Sequence, residues 1–211
     1  MLPILLKELK LTKFYIIFFF ILIPVSYGLN FPIRTTFVWI ILGFIIFSFF
    51  CDDKNEVNRF LTSLPVKRRQ IVFARYIYFL ILSAGFSGYI GTIDYFAYQG
   101  LPFLERNPIS FFGAFELFTI TSLLLAVSIP IFYYFRNFNK AITAYFILLF
   151  IGAFSFGVAQ GNPYLTFDDQ LKQKIHQLID VQPYLILTVL SLGSLFISYL
   201  LSTWLFTKRD I

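Results

Sequence analysis

Cysteine and histidine are almost missing from this chain of 211 residues, which holds one of each, Cys51 and His176. That excludes a disulfide framework and a multi-ligand Cys/His zinc site within one chain, and leaves Cys51 as a small apolar residue at a helix end. Charge is also scarce. Asp, Glu, Lys and Arg make up 13% of the residues, against roughly 25% in soluble domains, so the solvated shell of a soluble fold is not there. No G-x-x-x-x-G-K-[ST] segment occurs, which excludes a phosphate-cradling loop and intrinsic nucleotide hydrolysis. Intramembrane proteolysis of the glutamate type needs paired Glu and several His on facing helices, and His176 alone, in a loop, does not supply them.

What the chain does have is oil. Hydrophobic residues reach 58% and mean hydropathy +0.78, the composition of an integral membrane protein. At about 20 apolar residues per crossing, the length holds six crossings with short loops and no separate soluble domain. The predicted fold is therefore an all-α membrane protein over 1–211, with spans at Phe14–Leu29, Phe31–Cys51, Tyr76–Ile93, Phe111–Phe135, Ala141–Ala159 and Tyr184–Phe206. In the second span Arg34 must snorkel to the headgroups. Pro24 and Pro130 fall inside spans, where neighbouring helices can satisfy the carbonyls that proline frees. Ser83, Ala84, Gly85, Ser87, Gly88 and Gly91 in the third span form a small-residue face that admits a close helix backbone, from this chain or from another subunit.

The formal net charge of +6 could point to nucleic acid, but the cations sit at the ends of apolar runs, where membrane topology places them. With the N-terminus inside, only Arg34, Arg106, Lys172 and Lys174 of the 17 Lys and Arg residues lie outside. The bias puts both termini in the cytoplasm. Lys7 to Lys13 before an apolar run resembles a signal peptide, yet Pro24-Val25-Ser26-Tyr27-Gly28 lacks a small-x-small cleavage site. Leu2, Leu5, Leu6 and Leu9 form a helical stripe opposite Lys7 and Lys10, which predicts an interfacial elbow helix over 1–13.

One strongly charged island, Asp52 to Tyr76, interrupts the oil and holds six of the cations. Val57, Phe60, Leu61 and Leu64 fall at i, i+3, i+4 and i+7, so a short helix over 52–64 carries an apolar stripe. Asp53 and Glu56 have capping-box spacing, and Arg59 follows in a favourable charge order. Pro65 ends that helix, and Lys67, Arg68 and Arg69 anchor the next at the headgroups. Such a stripe outside the membrane needs cover, by a partner or by the membrane surface.

The string Lys54-Asn55-Glu56, Arg59-Phe60-Leu61, Ser63-Leu64-Pro65-Val66, a basic pair, Gln70-Ile71-Val72 and Arg75-Tyr76 resembles the signature of ABC-2 type permeases. It is most similar to small six-helix permeases of Gram-positive bacteria that pair with a separately encoded ATPase, among them exporters of phenol-soluble modulins and other antimicrobial or cytolytic peptides. The resemblance implies that 52–64 is a coupling helix docked on the ATPase, with Glu56, Arg59, Phe60 and Leu64 in contact and Pro65 passing tilt to the third span. It also implies a second permease chain and an ATPase dimer that carries the ATP and Mg. This chain would itself bind no cofactor, and no nucleic acid, and would not be an enzyme. A short external helix between the last two spans fits 165–181, with Leu171, Ile175, Leu178 and Ile179 as its stripe. The location implied is the bacterial plasma membrane.

Ion-coupled carriers need charge near mid-bilayer, and only Glu116 and Asp94 come close. Both are candidate path-lining residues, Glu116 facing cationic cargo or else pairing locally at the interface. A stand-alone secondary transporter or channel, and a membrane immunity protein or anchor, are the other readings; a neighbouring ATPase gene separates the permease from them.

Overall fold

The computed structural model describes residues 2–55, 57, 67–101, 109–135, 137–161 and 182–208. Those residues form six α-helices and no strand: α1 (Leu2–Gly28), α2 (Ile33–Lys54), α3 (Arg68–Gly100), α4 (Phe111–Tyr134), α5 (Phe138–Gly161) and α6 (Pro183–Lys208). All six are long and apolar enough to cross a membrane, and the chain is a multi-pass membrane protein. The helices run alternately up and down. The starts of α1, α3 and α5 share one end of the bundle with the ends of α2, α4 and α6, here the N-terminal end.

Hydropathy places the spans and underestimates their length. No break separates 2–13 from the first crossing; α1 is one helix from Leu2 to Gly28, because nothing in LPILLKELKLTK stops a helix after its first turn. α3 runs 33 residues, Arg68 to Gly100, about 50 Å and well beyond the roughly 30 Å hydrocarbon core. Its polar ends are held by neighbours. The Arg68 guanidinium donates to the carbonyls of Phe206 and Thr207 at the end of α6, and Asp94 is tied at the other end as described below.

Tight local chemistry makes the turns. Asn30 adopts φ 53°, and the amides of Asn30 and Phe31 donate back to the carbonyls of Tyr27 (3.1 Å) and Ser26 (3.0 Å). This is a Schellman ending to α1 with asparagine in the left-handed position. The Ser110 side chain caps α4 by accepting from the Gly113 amide at 3.1 Å.

Both internal prolines have their freed carbonyl satisfied by a hydroxyl from another helix. Pro24 cannot donate to Phe20, and Tyr89 of α3 donates to the Phe20 carbonyl instead, at 2.9 Å. Pro130 cannot donate to Ala126, and Ser198 of α6 does so at 2.7 Å. Since the Ser198 proton is used there, Tyr76 donates to Ser198 (2.5 Å) and Ser202 to Tyr76 (2.9 Å), a chain of hydroxyls joining α3, α6 and α4.

Aromatic rings fill the core. Phe19 stacks on Phe86 with centroids 3.8 Å apart, and Phe49 on Phe132 at 4.2 Å, which binds α1 to α3 and α2 to α4. The most extensive helix pairing is α4 with α6; α5 leans on α4 and slightly on α2. Much of α5 is left bare, including Ile147, Phe150, Ile151 and Phe154.

Candidate functional site

Four charged side chains and a tyrosine converge at the N-terminal end of the bundle. Arg75, on the third turn of α3, is 3% exposed, and Glu8 of α1 and Asp52 of α2 are each 2% exposed. The Arg75 Nη2 lies 3.1 Å from Glu8 Oε1 and pairs with Asp52 as well. Lys7 adds a second cation, its Nζ 2.9 Å from Glu8 and 3.6 Å from Asp52. Two positive and two negative groups thus balance. The Tyr133 hydroxyl at the end of α4 hydrogen-bonds to the guanidinium, and the Phe49 ring lies 4.6 Å below it. Arginine is the side chain for this position, because its planar fork can address two carboxylates at once while its flat face rests on a ring.

The local sequence explains how a charge comes to be buried here. Ile71, Arg75, Tyr78 and Phe79 lie on one buried stripe of α3, so helical spacing carries Arg75 inward with its apolar neighbours. Asp52 closes the buried stripe of Ile41, Ile45, Ser48 and Phe49 on α2 in the same way. One turn further along α1, the Thr12 hydroxyl donates to the Glu8 carbonyl at 2.9 Å and contacts the Tyr78 hydroxyl.

Of the residues that the sequence singles out, Asp53 lies exposed in the last turn of α2 and Val57 is buried. Glu56, Arg59, Phe60, Leu61, Leu64 and Pro65 lie outside the described residues, as does the expected external helix over 165–181. Asp94 is buried near the far end of α3. It accepts from the Tyr27 hydroxyl at 2.5 Å and from the Ile109 amide, tying the end of α1 and the entry to α4. Glu116 is half-buried and pairs with Arg34 at the start of α2, at 3.2 Å. The local partner open to Glu116 from sequence is thus Arg34.

On the small-residue face of α3, Ser83 and Ser87 are buried, but the described residues leave its glycines open. A Cβ built on Gly85, Gly88 or Gly91 meets nothing within 4 Å. Beside it a groove of about 750 Å³ opens between α3 and α4 in the far half, floored by Ala84, Ser87, Gly88 and Gly91 and walled by Tyr95, Phe96, Phe111, Phe115 and Phe118. Its size is that of a small-molecule or lipid-chain site.

The cluster around Arg75 escapes a reading of the sequence because Lys7 and Arg75 stand at the ends of apolar runs, where they read as topology markers. The signal that could find it is Arg75 and Asp52 occurring in phase with apolar stripes rather than opposite them. Among the described residues no group of acidic, Cys or His side chains is arranged to hold a metal ion.

Comparison with known proteins rests on one family. No curated protein and no solved structure matches the chain. The profile described as ABC-2 family transporter protein matches residues 3–207, all six helices and every residue of the charged cluster. This chain belongs to the ABC-2 transporter family, as a membrane component of a transporter.

Proposed function

We propose that the chain is the membrane-spanning permease subunit of an ATP-binding cassette exporter, powered by a separate ATPase that docks on the coupling segment 52–64. The observation that carries this reading is the family match over 3–207, since ABC-2 permeases usually work with an ABC ATPase. The charge bias supports an orientation with both termini and the 52–75 island in the cytoplasm, and the resemblance to bacterial permeases supports a plasma membrane location. ATP closes an ATPase dimer, the docked segment moves, and the helices exchange inward for outward access.

Two such chains, identical or paralogous, enclose the path. The bare face of α5 supports this, since over Phe138–Ser155 it is the least covered of the six helices and presents Ile147, Phe150, Ile151 and Phe154. The cargo proposed is amphipathic or peptide-like. Glu116, exposed enough to meet a cation although paired with Arg34, is the proposed path-lining contact. Asp94 serves the same half by holding α1, α3 and the start of α4 together.

The test is co-purification in detergent with the ATPase encoded beside this chain, comparing wild type with a Glu56→Ala, Phe60→Ala double variant. A complex that forms with wild type and is lost in the variant supports the reading. A folded wild type that takes up no folded ATPase defeats it.

A further inference from the structure

The polar contacts between α1 and α3 are unusual in their distribution. They occur at every level of the bundle: Glu8 with Arg75 and Thr12 with Tyr78 at the N-terminal end, the Phe20 carbonyl with Tyr89 midway, and Tyr27 with Asp94 at the far end. Between these ties the pair is filled by the stacked rings of Phe19 and Phe86. Apolar faces slide past one another at little cost, whereas desolvated charge pairs and hydroxyl–carbonyl bonds fix register. α1 and α3 are therefore pinned in one register from end to end.

The strongest tie lies where a moving loop would pull. Asp52 lies in the last turn of α2, Arg75 lies near the start of α3, and so the two stems of the α2–α3 connection meet in one ion cluster with Glu8 of α1. Such a cluster is a poor device for stability, since burying Glu8, Asp52 and Arg75 costs about as much as their pairing returns. A packed apolar set would hold the helices equally well, but without register. The balanced charges, the fork of Arg75 shared between helices and the ring of Phe49 beneath it are arranged for position.

We propose that Arg75 is the positioning residue that fastens the stems of the α2–α3 connection to α1, so that α1 and α3 travel as one arm and carry loop motion from the N-terminal end to Asp94 at the other. This deepens the permease reading and rests on it. Motion of the docked segment reaches Arg75, passes to Glu8, and is kept in step along α1 and α3 by the Thr12, Tyr89 and Asp94 ties. The far half, with Asp94 and the groove between α3 and α4, then moves with the arm.

The test uses the assembled permease–ATPase complex in a Cys51→Ser background, spin-labelled at Lys10→Cys on α1 and Gln70→Cys on α3, both exposed. The intrachain label distance is measured by pulsed EPR without nucleotide and after trapping with ADP and vanadate. The wild-type cluster is expected to keep the distance unchanged on trapping. A Lys7→Gln, Glu8→Gln, Asp52→Asn, Arg75→Gln variant removes all four ions of the cluster together and leaves neither a carboxylate nor a cation unpaired. In it the distance is expected to shift by about 2 Å or more on trapping. Arg75→Lys keeps the charge and loses the fork, and is expected to broaden the trapped distribution while leaving the nucleotide-free one in place. A wild-type distance that itself changes on trapping overturns the inference, and so do altered clusters that both keep the wild-type invariance. If wild type assembles with no ATPase, the permease reading falls first and this inference with it.

Discussion

Single side chains in this protein do work that their sequence positions disguise. Proline 24 and proline 130 each leave a carbonyl without its helical donor, and Tyr89 and Ser198 supply the missing proton from other helices. Tyr89→Phe and Ser198→Ala should each lower stability by about 0.6–1.7 kcal/mol, the range of interhelical hydrogen bonds in membranes. The cause is checked by a cycle: in a Pro24→Ala background the helix bonds its own Phe20 carbonyl, and Tyr89→Phe should lose most of its effect. Thermal unfolding in detergent reads both. Arg75→Gln alone leaves Glu8 and Asp52 buried beside a single cation and should cost about 3–5 kcal/mol, whereas the Lys7→Gln, Glu8→Gln, Asp52→Asn, Arg75→Gln combination, which removes both signs together, should recover most of that loss. Two equally damaging variants would mean that shape, not charge, holds the cluster.

At the scale of elements, the six crossings were legible in the chain and their ends were not. Apolar runs between Phe14 and Phe206 locate each helix, because lipid demands about 20 apolar residues and internal hydrogen bonding whatever the neighbours are. The ends depend on partners far off in sequence. α3 continues down to Arg68 because the end of α6 accepts its guanidinium, and on to Gly100 past a buried Asp94 that Tyr27 supports. The first residues join α1 without an elbow break because Lys7 and Glu8 have charged partners on α2 and α3. Turn chemistry is local and can be tested locally. Asn30 holds a left-handed conformation, so Asn30→Ala should cost about 1–2 kcal/mol and Asn30→Gly almost nothing. Two glycines of the far half, Gly88 and Gly113, should also differ. Gly88 has open space around it, and Gly88→Ala should be neutral or slightly stabilising through helix propensity. At Gly113 an added Cβ stands 3.0 Å from Ile109 and 3.2 Å from Arg34, and Gly113→Ala should destabilise by disturbing the residue whose amide binds Asp94. Melting temperatures of the two variants decide.

For the whole molecule, the string from Lys54 to Tyr76 resembles the ABC-2 permease signature, and the family match over 3–207 agrees. What sequence alone misses is the interior. Arg75 and Lys7 count among the cations that orient the chain, yet they are paired in a cluster that links the stems of the charged island to α1. Ionic pairing between residues 67 positions apart, as in Arg75 with Glu8, leaves no local trace. Among the described residues α5 is largely bare and nothing packs on Gly85, Gly88 or Gly91 of α3, which fits the proposal that a second chain completes the path. The central claim is that this chain works as a permease beside a second permease and an ATPase pair. Native mass spectrometry of the detergent-purified assembly, with the neighbouring ATPase co-expressed, tests it most directly. The account predicts a complex of two permease chains, each 24.7 kDa if identical, with two ATPase chains. A single permease chain, folded and free of ATPase, would contradict it.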